Sequence, residues 1–421
     1  MEIPIHKRKF ISFISHAHVD KKIIDSLDNW LSNICGLSIW YDGNNLPISA
    51  KIVSHLSKAI ENSKSMMIIL SQSSVQSGWV EEEYNAAIYQ RNKFPDYKII
   101  PIRIDDCEIP SFLQTTKWIQ LENGVITQDI AFELLFSLYY LNNFSDINMT
   151  KDIYIARSWR RNEKEFADEI SLKFMDNGYR LIGDSKDQIG FDIENRIKSL
   201  IESCGGMIAI LPNRGDGQTS SYIIQEISIA KSIGIPVLCI AEKGVNIDTS
   251  EVEISSIFYK DNNNTSLFDD EIDRFNEKWQ KPLNPHYLFY AQSINKQVND
   301  NKKVELLIEI ITGIKCILGD EIHESEIQKV ITSRIKRALI VLADITGHNL
   351  NTCIEVGIAR GSGRNFHLIS KKPRIKPPFM FRDQQIWFYS DEVEKMGLIH
   401  KILLPYKRRV INYELIQKNN F

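Results

Sequence analysis

The sequence lacks the features that mark several large classes of protein. It has no apolar run approaching the 18 or so residues of a membrane-spanning helix, and no GxxxxGKS/T phosphate loop of the kind found in many NTPases. Its 51 basic and 54 acidic residues leave a formal net charge of −3, whereas a nucleic-acid-binding surface is strongly basic. We therefore expect neither a membrane protein nor an NTPase, and no nucleic-acid partner.

Cysteine is sparse, and no two cysteines form a CxxC pair. At least four of the six lie in apolar surroundings, which is typical of buried thiols in a reducing compartment. The segment from Met1 to Phe10 has no apolar signal core. His16 and His18 have no acidic partners at metal-ligand spacing. We expect a cytoplasmic protein without a metal site.

What the sequence does contain is an internal repeat within 421 residues, a length that suggests two or three domains. Three times, a strand, a helix, a second strand and a second helix precede a continuous apolar run. These runs are Met66–Leu70, Met207–Leu211 and Ala338–Leu342. Runs of this kind predict strands that are buried on both faces of a parallel sheet.

A glutamate follows each apolar run, near the start of the next helix. These glutamates are Glu83, Glu226 and Glu355, which lie 143 and 129 residues apart, a spacing the size of a domain. We therefore predict an α/β protein of three tandem flavodoxin/Rossmann-like parallel-sheet units. Polar, asparagine-rich loops give the predicted boundaries: residues 1–147, 148–280 and 281–421.

Polar side chains follow the strands of the first unit. Ser15 and His16 follow the first strand, Asp42 the second and Ser71 the third. Ligands of open parallel sheets bind outside these strand ends. A carboxylate such as Glu83 suits a sugar that is losing its base, because it stabilises the developing oxocarbenium charge. The alternative is that Glu83 only compensates the helix dipole in an acidic first turn, and the residues alone favour that alternative.

Residues 9 to about 140 resemble a TIR (Toll/interleukin-1 receptor) domain. The resemblance rests on FISFISHAHVD from Phe10, WYD from Trp40, ILS from Ile69 and SGWVEEE from Ser77. In TIR enzymes a Trp-x-x-x-Glu element supplies the glutamate that cleaves the nicotinamide–ribose bond of NAD+, and Trp79 and Glu83 match it. The resemblance implies that Glu83 is catalytic, that NAD+ is the substrate, and that no cofactor is needed. The implied substrate-binding residues are Ser15, His16, Trp40, Asp42, Ser71 and Trp79.

The second and third units resemble nucleoside 2-deoxyribosyltransferase-like and TIR-like domains. The segments that carry this resemblance are IYIA from Ile153, DGQT from Asp216, QEISIA from Gln225, DITGHNLN from Asp344, EVGIA from Glu355 and PFMFR from Pro378. In the transferases, the glutamate at the place of Glu355 is the nucleophile. Here Leu350 replaces a usual proline, and Gln225 or Ile354 replaces the tyrosine that commonly precedes the glutamate. The resemblance implies nucleotide or nucleoside binding without catalysis.

Eight residues are candidates to bind a signal ligand in these units: Arg157, Arg160, Arg161, Asp184, Glu226, Asp344, Asn349 and Glu355. The three arginines directly follow the first strand of the second unit, where an anion would be received. The alternative for Asp344 and Asn349 is a turn that caps a helix without any ligand. The basic runs at 371–376 and 407–409 are interpreted as solvated loops.

The order of the units is similar to that of bacterial effectors that couple TIR domains to paired nucleotide sensors. This similarity implies a nucleotide-signal-activated NAD+ glycohydrolase of a prokaryotic antiviral defence system, acting as a ligand-dependent homo-oligomer. One alternative is a TIR scaffold without catalysis. A second is a nucleoside deoxyribosyltransferase or hydrolase that uses Glu355. A third is a TIR enzyme that cyclises ADP-ribose instead of releasing it by hydrolysis.

Overall fold

The fold was analysed on a computed structural model of the chain. The structure describes residues 3, 5, 8–41, 52–76, 78–139, 151–183, 193–246, 257–260, 265–282, 284–293, 298–319, 327–373 and 377–407. The predicted boundary loops at 142–146 and 261–264 lie outside these ranges, so the domain boundaries stay predictions.

The described residues form three five-stranded sheets, and every strand pair in them is parallel. Within each sheet the strands lie in the order second, first, third, fourth, fifth. This order is that of flavodoxin-like folds, which place helices on both faces of the sheet. The expectation of three tandem parallel-sheet α/β units is confirmed.

The strands of the first sheet are β1 (Ser12–Ser15), β2 (Ile39–Trp40), β3 (Ser65–Leu70), β4 (Lys98–Arg103) and β5 (Ile119–Gln120). Those of the second are β6 (Lys151–Ala156), β7 (Tyr179–Ile182), β8 (Met207–Leu211), β9 (Val237–Glu242) and β10 (Ile257–Lys260). Those of the third are β11 (Tyr287–Ala291), β12 (Lys315–Leu318), β13 (Ile340–Asp344), β14 (Asn365–Lys371) and β15 (Ile386–Tyr389).

The helices of the first unit are α1 (Lys21–Asp28), α2 (Ile52–Glu61), α3 (Gln72–Gln76), α4 (Gly78–Lys93) and α5 (Gln128–Tyr139). A π-helical turn at Asn29–Ile34 extends α1. The second unit contains α6 (Lys164–Asp176), α7 (Ile193–Glu202), α8 (Ser221–Ile233) and α9 (Thr265–Lys278). The third contains α10 (Val298–Thr312), α11 (Ile327–Arg337), α12 (Leu350–Gly361) and α13 (Glu392–Leu403).

The central strand of each sheet is one of the predicted apolar runs. Every residue of β3, β8 and β13 is buried, including the single carboxylate, Asp344, at the end of β13. A strand that is covered by helices on both faces needs apolar side chains on both faces. The alternation of apolar and polar residues therefore disappears, and the apolar run becomes continuous. One hydrophobic cluster includes residues of all three sheets, among them Ile14, Tyr154 and Leu288, so the units share apolar core.

The first unit packs against the third unit. Helix α5 contacts α10 and α13, and the π-helical turn contacts α13. At the centre of this contact His400 is fully buried, with its Nδ1 atom 2.7 Å from the carbonyl oxygen of Cys35 and its Nε2 atom 2.7 Å from the Tyr139 hydroxyl. Because a carbonyl oxygen only accepts, Nδ1 donates and Nε2 accepts from Tyr139.

The contact between the second and third units is also polar at its centre. The guanidinium of Arg180 donates to both carboxylate oxygens of Asp152, at 2.7 and 2.6 Å, and to the carbonyl oxygen of Thr312 at 2.6 Å. The Asp152 pair lies within the second unit and Thr312 ends α10 of the third. A buried bidentate pair of this kind fixes the orientation of its arginine.

In the ranges that the structure describes, no helix combines the length and the apolar character needed to cross a bilayer.

Candidate active site

The topology of the first sheet predicts a crevice at its carboxyl edge. Connections from the adjacent strands β1 and β3 leave in opposite directions, and ligands of such sheets bind where this happens. Ser15 is the last residue of β1, and Ser71 directly follows β3. Both serines are buried, so the crevice begins with two hydroxyl groups removed from bulk water.

Helix α4 brings Glu83 to this crevice. The Glu83 side chain is 7% exposed, and its Oε2 atom accepts a hydrogen bond from the Ser15 hydroxyl. Glu83 is the sixth residue of α4, in its second turn rather than its first. Compensation of the helix dipole is effective in the first turn and favours solvated carboxylates, so it does not account for this placement. A buried carboxylate at a strand end acts on nearby charge through a low dielectric.

Ser71 ties the loops that follow β1 and β3 together. Its hydroxyl donates to Oδ2 of Asp20 at 2.6 Å and accepts from the backbone N–H of Ser74 at 3.0 Å. Its own N–H donates to the Ser74 hydroxyl at 2.7 Å. These bonds begin the short helix α3 and fix the loop that carries Asp20. Asp20 was not among the predicted site residues, although its position in the loop after the first strand was a usable signal.

A second carboxylate holds the start of the loop after β4. Asp105 accepts hydrogen bonds from the backbone N–H groups of Gln72 and Cys107, each at 2.9 Å. Burial opposes ionisation of Asp105, but these hydrogen bonds outweigh it and lower its pKa below the usual value. The loops after β3 and β4 are therefore joined by a charged group that stays ionised.

His16 and Trp40 occupy different surroundings. The His16 ring meets the Tyr41 ring edge-on, with centroids 5.9 Å apart, and the Tyr41 hydroxyl donates to Asp25 at 2.6 Å. Trp40 is buried and stacks on Phe13 with ring centroids 5.0 Å apart. This packing accounts for Trp40 as a core residue without any contribution from a substrate.

The side chains of three predicted site residues lie outside the described part of the structure. Asp42 and Asp184 lie outside the described residues. The backbone of Trp79 belongs to the first turn of α4, but its side chain also lies outside the described part of the structure. Their roles stay predictions.

The three predicted arginines of the second unit differ in burial. Arg157 is buried, forms an ion pair with Asp168 at 2.7 Å and lies over the ring of Trp159 at 4.6 Å. Burial lowers the pKa of Arg157, and Asp168 partly restores it. Arg160 and Arg161 are exposed. Arg157 thus has a carboxylate partner inside the unit, and the role of the three arginines in binding an anion stays a prediction.

The second unit repeats one feature of the first. Glu226 is the sixth residue of α8, and its Oε1 atom accepts a hydrogen bond from the hydroxyl of Tyr154 at 2.9 Å. Tyr154 belongs to β6, the counterpart of β1. A hydroxyl from the first strand therefore meets the helix glutamate in both units. The internal repeat in the sequence aligned the glutamates, but it did not identify Tyr154 as the partner of Glu226.

Two predicted ligand residues of the third unit have partners within the fold. Asp344 accepts from the Thr346 N–H at 3.1 Å and the Tyr389 hydroxyl at 2.7 Å, and pairs with Lys395 at 2.8 Å. Burial opposes the charge of Asp344, but Lys395 and these hydrogen bonds lower its pKa. Asn349 caps α12 by accepting the N–H of Thr352 at 3.1 Å. Asn349 therefore caps the helix, and its role in binding a ligand stays a prediction.

Glu355 is the third member of the glutamate series. It is buried and is the sixth residue of α12. A Cβ atom at Gly319, beyond the end of β12, would lie 3.3 Å from Glu355 Oε1, so the chain approaches the carboxylate closely there. Within the described ranges, no group of three or more His, Cys, Asp or Glu side chains is placed to hold a metal ion.

A family model of the TIR domain matches residues 13–136. These residues form a TIR domain. The match covers Ser15, Ser71 and Glu83 and ends before the second sheet.

One curated relative and one solved structure resemble parts of the chain. The relative, from Methanobrevibacter olleyae, is named as a probable 2′ cyclic ADP-D-ribose synthase, TcpO, and is 31% identical over 106 residues. The match covers 24% of this chain and 29% of the relative, so the chain matches less than a third of that protein. The TIR domain of a Toll-related receptor from Hydra magnipapillata is 17% identical, with a TM-score of 0.24, over 26% of this chain and 83% of that one.

Proposed function

We propose that the TIR domain cleaves the nicotinamide–ribose bond of NAD+, with Glu83 as the catalytic carboxylate. The observation that carries the proposal is the buried Glu83 carboxylate, bonded to the Ser15 hydroxyl at the crevice between β1 and β3. The name of the relative from Methanobrevibacter olleyae supports the same chemistry.

The proposed reaction needs little from the protein beyond a placed negative charge. The bond between C1′ of the ribose and the pyridinium nitrogen breaks, its electron pair moves to that nitrogen, and nicotinamide leaves as a neutral molecule. The ribose becomes an oxocarbenium ion, which Glu83 stabilises. Attack by water, with loss of one proton, gives ADP-ribose. Attack by a hydroxyl of the same molecule gives a cyclic product, and the two outcomes differ only in the nucleophile.

Ser15 acts as a positioning residue in this scheme. Its hydroxyl donates to Oε2 of Glu83, and a hydrogen bond to an ionised carboxylate is about twice as strong as one between neutral groups. The bond restricts the rotation of the carboxylate. Ser71 and Asp20 hold the adjacent loop, so the walls of the crevice are fixed before substrate enters.

We further propose that the second and third units sense a nucleotide signal and that the active form is a homo-oligomer in a prokaryotic defence system. The shared strand order of the three sheets and the Tyr154–Glu226 pair support an origin of these units in nucleotide-binding folds. The direct packing of the TIR domain on the third unit supplies a route by which binding could alter the TIR domain.

The decisive experiment is to incubate the purified full chain with NAD+, alone and with candidate nucleotides, and to measure nicotinamide and ADP-ribose products by chromatography. Glu83→Gln keeps the size of the side chain but removes its charge, and is expected to reduce nicotinamide release at least a hundredfold. Glu108→Gln, at an exposed carboxylate of the same domain, is the matched control. Equal release by wild type and Glu83→Gln would contradict the proposal and favour a scaffold without catalysis.

A second candidate function rests on Glu355, which is buried at the helix position that Glu83 occupies. It predicts release of base from deoxynucleosides that Glu355→Ala abolishes and Glu83→Gln leaves intact. Release that both variants retain would exclude this candidate.

A further inference from the structure

One face of α11 forms a groove with an unusual lining. We call it the α11 groove, and its volume is about 530 Å³. The lining residues are Gln328, Lys329, Thr332, Ser333, Lys336 and Arg337. They recur every four positions, so they lie along one side of the helix. Three cations, two hydroxyls and an amide line the groove, and none of its described lining residues is a carboxylate. Its volume lies in the range of small-molecule sites, roughly 300–1,000 Å³.

The carboxyl end of α11 is held rigidly to the third sheet. The hydroxyl of Tyr287, in β11, donates to the carbonyl oxygen of Arg334 at 2.6 Å. The Arg337 guanidinium donates to the side chain of Asn284. Neither Lys336 nor Arg337 forms an ion pair with any carboxylate in the described part of the chain. The cations of the groove therefore lie on a helix end that is fixed in place. This reduces the entropy cost of binding a ligand.

A further arginine lies behind this end of the helix. Arg364, just before β14, is half-buried, and its Nε atom is buried without a hydrogen-bond partner. The side chain forms no ion pair within the ranges the structure describes. Burial lowers the pKa of Arg364, and the positive charge of Arg196 lowers it further. A half-buried guanidinium without a counterion is costly unless an anion joins it.

Positive charge accumulates around Arg364 from both units. Arg334, Arg337 and Arg364 all act on Tyr287, whose pKa burial raises and these arginines lower. Arg196 comes from α7 of the second unit and is buried.

The histidine at the same joint does not supply a countercharge. Burial, followed by the charges of Arg180, Arg364 and Arg337, lowers the pKa of His286 to about 3, so it is neutral at physiological pH. Of these neighbours Arg180 is already paired with Asp152. Arg337 and Arg364 have no carboxylate partner among the described residues, so their charges are not neutralised there.

We infer that the α11 groove, together with Arg364, binds a small phosphorylated ligand at the joint between the second and third units. Guanidinium and ammonium groups are the side chains best suited to phosphate oxygens, and Thr332 and Ser333 add hydroxyl donors. The inference rests on the sensor part of the proposed function for its role, and it places the signal site away from the strand ends. Sequence reasoning missed it because Arg337 and Arg364 belong to no motif.

Binding is tested on the full chain carrying Glu83→Gln, so that turnover of NAD+ plays no part. The probes are inorganic pyrophosphate and ATP, and calorimetry gives the dissociation constants. Arg337→Ala and Lys336→Ala are expected to weaken binding at least tenfold. Lys302→Ala removes an exposed cation from α10 of the same unit and is expected to change binding less than twofold. Failure of both probes to bind, or equal affinity in all variants, overturns the inference.

Arg364→Met tests the inference through the direction in which the thermal midpoint changes. A purely structural role of Arg364 would not produce that direction. Without ligand, loss of an uncompensated cation is expected to raise the thermal midpoint. With ATP, the increase that the parent protein shows is expected to be lost, because ligand binding stabilises only the form that binds. A lower midpoint without ligand, with the ATP effect retained, contradicts the inference.

Two further outcomes separate the groove from the rest of the proposed function. Tighter binding of a 20-nucleotide single strand than of ATP assigns the groove to nucleic acid and overturns the small-ligand inference. Binding of ATP that leaves nicotinamide release by the wild type unchanged upholds the site and removes its connection to the TIR domain.

Discussion

At the scale of single residues, position along a helix separates Glu83 from an ordinary surface carboxylate. It lies in the second turn of α4, buried and bonded to Ser15. The sequence predicted that both residues lie at the same edge of the sheet, since strand ends and the following helices of a parallel sheet converge there; it did not predict their hydrogen bond. It did not predict that Arg157 pairs with Asp168, because whether a loop cation points outward or inward depends on packing that no short motif encodes.

Ser15→Ala is expected to lower kcat/KM for NAD+ cleavage about tenfold to a hundredfold, because hydrogen bonds to charged groups contribute about 1.5–3 kcal/mol. Ser12→Ala, on the same strand, removes a hydroxyl that bonds a backbone carbonyl and is the matched control. Steady-state nicotinamide release measures both. Equal losses in the two variants would mean that the effect comes from the strand rather than from Glu83.

His286 gives a pH prediction at the same scale. Burial lowers its pKa in the folded state to about 3, whereas the unfolded value is about 6.5. Between these values the unfolded chain binds a proton that the folded chain does not, so folding stability is complete above pH 6.5 and falls as the pH drops. The slope approaches about 1.4 kcal/mol per pH unit.

His286→Gln removes this pH-dependent contribution to folding stability. The free energy of unfolding in urea, measured at pH 7 and pH 5, is therefore expected to fall less for the variant than for the wild type. Parallel decreases in the two proteins would show that His286 titrates normally in the folded chain.

At the scale of elements, apolar runs located the central strands within two residues, while the fifth strand of each sheet went unrecognised. Strand β5 has only two residues, and β15 follows a short turn at Phe379–Phe381. Such strands form because a neighbouring edge is present, so their signal lies in tertiary contacts rather than in periodicity. The half-buried Lys395 of α13 was missed for the same reason, since its partner Asp344 is 51 residues away.

Lys395→Met is expected to destabilise the third unit by about 3–5 kcal/mol, because Asp344 would keep a buried charge without its cation. Hydrogen–deuterium exchange of β15 should accelerate accordingly. The double variant with Asp344→Asn should recover part of the loss, since both charges are then gone. Lys302→Met is the control at an exposed position, and protection of β15 unchanged by Lys395→Met would argue against a stabilising pair.

At the scale of the whole molecule, the TIR domain and the third unit form a direct contact although the second unit separates them in sequence. The contacts of His400 reach Tyr139 and Cys35, 261 and 365 residues away. Sequence motifs identify the individual units, but which outer helices of two units pack together depends on how well the helix surfaces fit each other. A Cβ atom at Gly397 would lie 2.8 Å from Ile34, which shows how closely α13 approaches the π-helical turn.

His400→Ala is expected to weaken this contact by about 1–3 kcal/mol for each buried polar group left without its partner. Amide exchange in α5 and α13 should accelerate, while exchange in β8 of the second unit should not change. Gly397→Ala is a second route to the same result, because its methyl group would press α13 away from the turn. Unaltered exchange in both variants would show that the two helices are held by other contacts.

The narrow space at Gly397 also determines the chemistry of a thiol. Cys35 is fully buried, burial raises its pKa, and a Cβ atom at Gly397 would lie only 3.0 Å from its sulfur. Alkylating reagents need an exposed thiolate. The rate at which Cys35 of the unmodified protein reacts with iodoacetamide therefore reports how often the TIR domain lifts from the third unit, and any signal that releases the domain should increase that rate.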